Sequence, residues 1–253
     1  MKKVLTVAGF DPSGSAGIQA DLKVFRSFGL YGLSVVSALT AQNTRGVSGI
    51  MPVDAKFFEK QLEVLLSDIK PDATKIGMIY SGSNVCVIAK IIKKYSLKNV
   101  VIDPVMLSSS GRRLSPKNTL LAIKEKLLPF CAVLTPNIHE ASVLAGIDIK
   151  TQDDMEKTAI KLKEYGVRNI IITGGHLERI AMDILYDGNF HYLGSKKISG
   201  EYHGTGCAFS AAIAAQLAKG HSALNAARIA KRFMNKAIRQ SFRAGGGMKL
   251  LNV

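Results

Sequence analysis

The stretch His203-Gly204-Thr205-Gly206-Cys207-Ala208-Phe209-Ser210-Ala211-Ala212-Ile213-Ala214-Ala215 sets two glycines around a threonine and runs straight into an alanine-rich segment. Alanine is the strongest helix former, so a helix starts at the glycine turn. Such a junction offers unpaired backbone N–H groups and the positive end of a helix dipole, which together suit an anion. It also puts Cys207 in the first helical turn, a position that ordinarily lowers a thiol pKa. The plain alternative is a glycine-rich turn before a buried helix, with Cys207 as a small apolar residue. The stretch alone leaves both readings open.

Outward from it, the chain alternates short apolar runs with longer helical ones. Downstream, the helix over residues 207–218 stops at Gly220, and Ser222 caps a second helix over 223–242. Upstream, residues 181–185 and 190–193, joined through Tyr186-Asp187-Gly188-Asn189, read as a β-hairpin. Earlier, residues 4–8, 33–39, 73–78, 100–102, 132–134 and 170–173 read as strands. Between them 17–28, 55–66 (capped by Asp54), 84–95, 139–145 and 153–165 read as helices. Cys86 and Cys131 fall on apolar faces and are expected in the core. Strands alternating with helices give a mostly parallel sheet covered on both faces, with the late hairpin as an antiparallel edge. One α/β domain over 1–253 is expected.

The 253 residues are 47% hydrophobic and 21% charged, enough for a sizeable core and unlike a disordered or fibrous chain. No apolar run reaches the length of a bilayer span. The run Val4–Ala8 gives way to Gly9 and then Asp11-Pro12, which suits a first strand rather than a signal peptide. The three scattered cysteines fit a reducing compartment and neither a disulfide framework nor a zinc site. A cytoplasmic protein is expected. The formal net charge is +15. Its basic residues are dispersed, apart from Arg228, Lys231, Arg232, Lys236, Arg239 and Arg243 on the last helix. No base-reading motif accompanies them, so they read as a solvated surface compatible with an anionic small molecule. Neither nucleic acid nor membrane is expected as a partner.

In parallel sheets ligands bind beyond the carboxyl ends of the strands. Six segments gather there: residues 9–17, 40–44, Gly77-Met78, Asp103-Pro104-Val105-Met106, Thr135-Pro136-Asn137-Ile138-His139-Glu140 and Thr173-Gly174-Gly175-His176. All are polar or glycine-rich. Gly9 and Gly14 have Walker spacing, but Ser15-Ala16 follows where a lysine is required, so this is not a P-loop. The Gly204 turn is not a dinucleotide fingerprint either, since Phe209 stands at the third glycine. Glycines over 9–17 allow a ligand close to the backbone, or serve only the turn and helix entry. Asn137 and Glu140 suit a magnesium ion held through water, or a plain helix cap; spacing favours the cap. His139, His176 and His203 lack metal-ligand spacing.

Taken in order, Ala8-Gly9-Phe10-Asp11-Pro12-Ser13-Gly14, Gly17-Ile18-Gln19-Ala20-Asp21, Ala41-Gln42-Asn43-Thr44, Lys75-Ile76-Gly77-Met78, Asp103-Pro104-Val105-Met106, Thr135-Pro136-Asn137, Glu140-Ala141, Gly174-Gly175-His176-Leu177 and His203-Gly204-Thr205-Gly206-Cys207 carry a resemblance. The chain resembles the hydroxymethylpyrimidine/phosphomethylpyrimidine kinases of thiamine biosynthesis, within the ribokinase-like superfamily. The resemblance covers nearly the whole chain. It implies a three-layer ribokinase-like fold, homodimers, and two successive ATP- and Mg²⁺-dependent phosphorylations of a hydroxymethylpyrimidine. It implies Gly204, Thr205 and Gly206 as the anion hole and Cys207 as the base. Asp21 and Gln42 would then hydrogen-bond the aminopyrimidine, with Met78 packed on it and Gly9 beside it. Asn137, Glu140, Thr173 and Asp103 would lie by the phosphates of ATP, with Glu140 toward magnesium.

Three departures accompany the resemblance. Thr173 stands where the family usually has lysine, and Arg112 or Arg113 is expected to replace that charge. Ser199-Gly200-Glu201-Tyr202 replaces the family's usual Asn-Thr, and residues 245–253 lack its His-rich tail. A pyridoxal kinase of the same branch is the nearest alternative reading. A non-catalytic binder of anionic ligands or nucleic acid is the alternative from another class.

Overall fold

The structure is a computed structural model and describes residues 1–108, 111–174, 180–196 and 198–253. The chain opens with β1 (Lys3–Phe10), α1 (Gly17–Ser27) and the antiparallel pair β2 (Tyr31–Asn43) and β3 (Gly46–Pro52). Then follow α2 (Ala55–Asp68), β4 (Ala73–Ile76), α3 (Gly82–Lys94) and β5 (Val100–Ile102). A helical stretch begins with α4 (Lys117–Ala122) and continues as a wider turn over Ile123–Leu127. Next come β6 (Val133–Leu134), α5 (Ile138–Ala145), α6 (Gln152–Lys163) and β7 (Asn169–Ile172). The hairpin is β8 (Ile180–Tyr186) with β9 (Phe190–Lys196). The chain finishes with β10 (Tyr202–His203), α7 (Thr205–Ala218), α8 (Ala223–Arg239) and β11 (Lys249–Leu250).

Nine strands form one sheet in the order β3-β2-β1-β4-β5-β6-β7-β8-β9. Its centre is parallel and both edges are antiparallel. The α/β, mostly parallel, three-layer expectation is borne out. The alternation of side chains makes the layers: Leu5 and Val7 face the core under α2–α6, and Val4 faces the opposite core. In β5, likewise, Val100 and Ile102 face one way and Val101 the other. The second core is closed by α1, α7 and α8. Every residue of α7 from Ala208 to Ala218 is buried, because the helix lies between the sheet and its neighbours α1 and α8. Its alanines let those backbones approach. Strand order reverses at β1, which has β2 on one side and β4 on the other. A reversal of this kind opens a crevice at the carboxyl ends.

Some expectations are corrected. The segment Gly46–Pro52 has too many glycines and a proline to read as a strand, yet it pairs along β2. It is an edge strand, where proline and glycine cost no ladder partner on the outer side. The last helix stops at Arg239, not at 242, and Phe242 exchanges hydrogen bonds with Leu250 instead. Arg243 therefore lies outside the helix. Cys131 is buried as expected, but Cys86 is exposed, pointing away from the Val85, Ile88 and Ile92 face of α3.

Candidate active site

The helix start at Gly204 is built by steric exclusion. Gly204 has φ +84, and a Cβ there would sit 1.8 Å from the Ser15 carbonyl oxygen, so only glycine fits. The two loops are buttoned together, since Ser15 Oγ donates to the His203 carbonyl at 3.0 Å. The loop after β1 folds around the Asp11 carboxylate, which accepts from the N–H groups of Ser13 and Ala16. On the other side, β10 pairs with β11, whose preceding residues Gly245–Gly247 lie against Thr44 and Arg45. Gly204 brings no side chain to cap α7, so the N–H groups of its first turn remain available to an anion.

Cys207 sits at the floor of the cleft, above two buried carboxylates and one ammonium. Lys75, on β4 and fully buried, is held by Asp21 at 2.9 Å, and the Thr6 hydroxyl donates to the same carboxylate. Asp103, at the end of β5, accepts from Ser210 of α7 at 3.0 Å. Burial pushes the Cys207 thiol up to about 12; Lys75 pulls it down, while Asp103 and Asp21 push it further up. This corrects the expectation of a lowered thiol: the dipole of α7 is outweighed by desolvation and two carboxylates. Burial alone would lower the Lys75 pKa, but Asp21, Cys207 and Asp103 raise it, so the ammonium stays charged.

Asp21 is also corrected in place. It is wholly buried beneath the floor, committed to Lys75 and Thr6, and does not line the cleft. Gln42, Gly9 and Met78 do line it. A Cβ on Gly9 would come within 3.3 Å of the Met78 sulfur, so glycine there makes room for that side chain. The Gln42 amide lies 2.8 Å from His203 Nε2, and the same ring nitrogen lies 2.9 Å from Asp11 Oδ2.

At the other end of the cleft stand Asn137, Glu140, Thr173 and Asp103. Asn137 and Glu140 form a reciprocal cap on α5: the Asn137 side chain accepts from the Glu140 N–H, and the Glu140 carboxylate from the Asn137 N–H. Glu140 also accepts from the Met106 N–H. Burial, then the nearby Asp103 charge, pushes the Glu140 carboxyl up to about 8. Buried neighbouring carboxylates with spare lone pairs suit a hard divalent cation. No group of three or more His, Cys, Asp or Glu side chains among the described residues forms a metal cage. Asp103 and Glu140 would supply only part of a magnesium ion's oxygen shell.

All twelve expected site residues except Asp21 line one cleft of about 1350 Å³, large enough for two small molecules side by side. His176 lies outside the described residues. Arg112 and Arg113 do not line the cleft, and Arg112 donates instead to the Val47 carbonyl at 2.8 Å. Among the described residues the lysines and arginines lining the cleft are Arg45 and Arg243. No helix among the described residues is long and apolar enough to cross a membrane.

Residues 11–252 match the family model for phosphomethylpyrimidine kinase. The chain is 38% identical over 253 residues to the hydroxymethylpyrimidine/phosphomethylpyrimidine kinase of Bacillus subtilis, covering 97% of this chain and 92% of that one. The chain belongs to the phosphomethylpyrimidine kinase family. It is also 45% identical over 247 residues to the thiamine biosynthesis bifunctional protein ThiED of Geobacter sulfurreducens, covering 96% of this chain but only half of that longer protein. Among solved structures, an ADP complex of Bacillus subtilis pyridoxal kinase matches with a TM-score of 0.91 and 39% identity, covering 100% of this chain and 97% of that one. The phosphomethylpyrimidine kinases are ATP-dependent phosphotransferases, and the reading of this chain as an enzyme of that class is borne out. Within this family frame, sequence reasoning missed Lys75, Asp11, Ser210, Arg45 and Arg243. Lys75 alone left a signal, a charged residue inside an otherwise apolar strand.

Proposed function

We propose that this chain transfers the γ-phosphoryl group of ATP to the hydroxymethyl group of 4-amino-5-hydroxymethyl-2-methylpyrimidine, and then to the resulting monophosphate. One observation carries this. The uncapped start of α7 is joined through His203 to the amide of Gln42 on one side, and neighbours the carboxylates Asp103 and Glu140 on the other.

Gly9 and Met78 would receive the pyrimidine ring, and Gln42 would read its amino edge. The N–H groups of Thr205, Gly206 and Cys207 then face the phosphoryl group in transit, where charge develops. Losing one such donor typically costs about 3–4 kcal/mol of barrier. Cys207 as thiolate takes the proton of the attacking hydroxyl, and the Lys75 ammonium beneath the floor favours that anion. Asn137 and Thr173 would flank the ATP phosphates. Glu140, with Asp103, would hold magnesium directly or through water; the ion neutralises phosphate charge when bound. Arg45 and Arg243 supply cleft charge where Thr173 has none. The same reading takes residues 1–253 as one kinase domain, a homodimer in the cytoplasm; exposed Met51, Phe57 and Val64 support an apolar contact between copies.

A coupled ADP-release assay with the hydroxymethylpyrimidine, its monophosphate and pyridoxal tests the proposal. Both pyrimidines are expected to drive ADP release. Release with pyridoxal alone would instead support a second reading as a pyridoxal kinase, which the likeness to the Bacillus subtilis pyridoxal kinase favours. No release with any of the three overturns both.

A further inference from the structure

The segment that follows α8 returns to the cleft and closes its acceptor end. Phe242 and Leu250 exchange both backbone hydrogen bonds, so residues 243–249 form a loop. That loop packs on the turn between β2 and β3. The Met248 N–H donates to the Thr44 carbonyl at 3.0 Å, and the Gly247 N–H to Thr44 Oγ1 at 3.2 Å. On its other side the Lys249 N–H donates to the Glu201 carbonyl, next to β10. The loop thus ties the β2–β3 turn to the strand that leads into Gly204. Glycine makes this approach possible. A Cβ on Gly247 would stand 2.1 Å from the Thr44 carbonyl oxygen, and one on Gly246 would stand 2.7 Å from the Arg45 guanidinium. A side chain at Gly247 therefore lifts the loop from the turn.

The contact brings two cations to one end of the cleft. Arg45 is on the turn, where its own N–H donates to the Asn43 side chain, and Arg243 is on the loop, three residues before Gly246. Both line the cleft. Among the described residues neither guanidinium makes an ion pair or a hydrogen bond. Glu201, exposed, lines the same end and pairs with neither. At the far end Asp103 and Glu140 present carboxylates. Two arginines with no partner, in a cleft otherwise rich in carboxylates, form a place for an anion, and a guanidinium fork matches phosphate oxygens.

We propose that the C-terminal loop, docked on the β2–β3 turn, sets Arg45 and Arg243 over the acceptor end as a two-arginine site for the phosphate group of an already phosphorylated acceptor. The unphosphorylated acceptor offers those forks nothing, so the pair distinguishes the second transfer from the first. Thr44 and Gly247 are positioning residues: they seat the loop that carries Arg243. The inference rests on the proposed function and adds which residues bind its second acceptor.

The test measures affinities for 4-amino-5-hydroxymethyl-2-methylpyrimidine and for its monophosphate by isothermal titration without nucleotide, and then ADP release with each. The wild-type chain is expected to bind the monophosphate roughly 10- to 100-fold tighter, the span of hydrogen bonds to a charged group. Arg45→Gln and Arg243→Gln should each cut that ratio about 3- to 10-fold, and the double variant should bring it to within about 3-fold of parity. Arg243→Lys keeps the charge without the fork and should lose less than Arg243→Gln. Gly247→Ala keeps both arginines but unseats the loop, and should cut the ratio about 3-fold or more. Thr44→Val, which removes the acceptor of the Gly247 N–H, is the second variant for that arm. Melting temperatures establish that each variant is folded. The proposal is overturned if the wild-type chain does not prefer the monophosphate, if the folded double variant keeps the wild-type ratio, or if the folded loop variants keep it. Monophosphate binding that depends on both arginines, without ADP release, would overturn the kinase function and leave this proposal standing. ADP release with both pyrimidines, and a ratio indifferent to the arginines, would do the reverse.

Discussion

The acidity of Cys207 separates two pictures of the site and can be read by alkylation. A thiol at about 12 is only about 3 parts in 100,000 thiolate at pH 7.5. An unperturbed cysteine of pKa about 8.5 is about one-tenth thiolate at that pH. The population ratio is therefore about 3,000. The more basic thiolate is the better nucleophile, with a slope of about 0.4–0.5 per pKa unit, which returns about 40-fold. The net expectation is that Cys207 reacts with iodoacetamide about 100-fold more slowly than an unperturbed thiol. Cys86, exposed on α3, is an internal reference within the same chain, and Cys131, buried, should stay unlabelled. Labelling is followed by mass spectrometry of the three cysteine peptides over time at pH 7.5. Asp103→Asn removes one of the carboxylates that raise the thiol, so it should speed Cys207 labelling while leaving Cys86 unchanged. That sign distinguishes electrostatics from restricted access, because access to the cleft floor is the same in both proteins. Cys207 labelling as fast as Cys86 in the unmodified chain, or slowed by Asp103→Asn, would refute the reasoning.

Three further expectations follow from the same geometry. Because the Cys207 thiol is raised and the base must be deprotonated, kcat/KM should climb about tenfold per pH unit between pH 6 and 9; a plateau near pH 7 counts against a thiolate base with this pKa. Lys75→Met strands the Asp21 carboxylate in the core and should lower stability by about 3–5 kcal/mol in urea unfolding, with the double variant Lys75→Met/Asp21→Leu recovering most of the loss. An unchanged midpoint for Lys75→Met means the pair is not buried as described. Gly204→Ala puts a methyl group 1.8 Å from the Ser15 carbonyl at a positive φ, so phosphoryl transfer should fall by about two orders of magnitude or more as the helix start is displaced; activity within about twofold of the parent would show that the turn is not the anion hole.

Much of the architecture was legible in the chain because its signals are local. The helix start at Gly204, the Asp54 cap and the Gly188 hairpin turn each depend on a few adjacent residues and on backbone sterics. The six loops beyond the parallel strands could be gathered on one rim because a parallel sheet puts every carboxyl end on the same side. The edge strand Gly46–Pro52 escaped notice because edge strands tolerate the residues that normally break strands. The helical stretch from Lys117 escaped because prolines frame it at Pro116 and Pro129.

The composition, the alternation of strands and helices and the ordered motifs determined the α/β fold, the family and twelve expected site residues, eleven of which line the cleft. Tertiary structure alone decided what those residues are chemically. Asp21 became a buried partner of Lys75, 54 positions away, rather than a ligand contact. Cys207 became a weak acid rather than a strong one. Gln42 met His203, 161 positions away, and His203 met Asp11, 192 positions away. Burial and the approach of distant groups set pKa values and hydrogen-bond partners, and neither leaves a pattern in neighbouring residues.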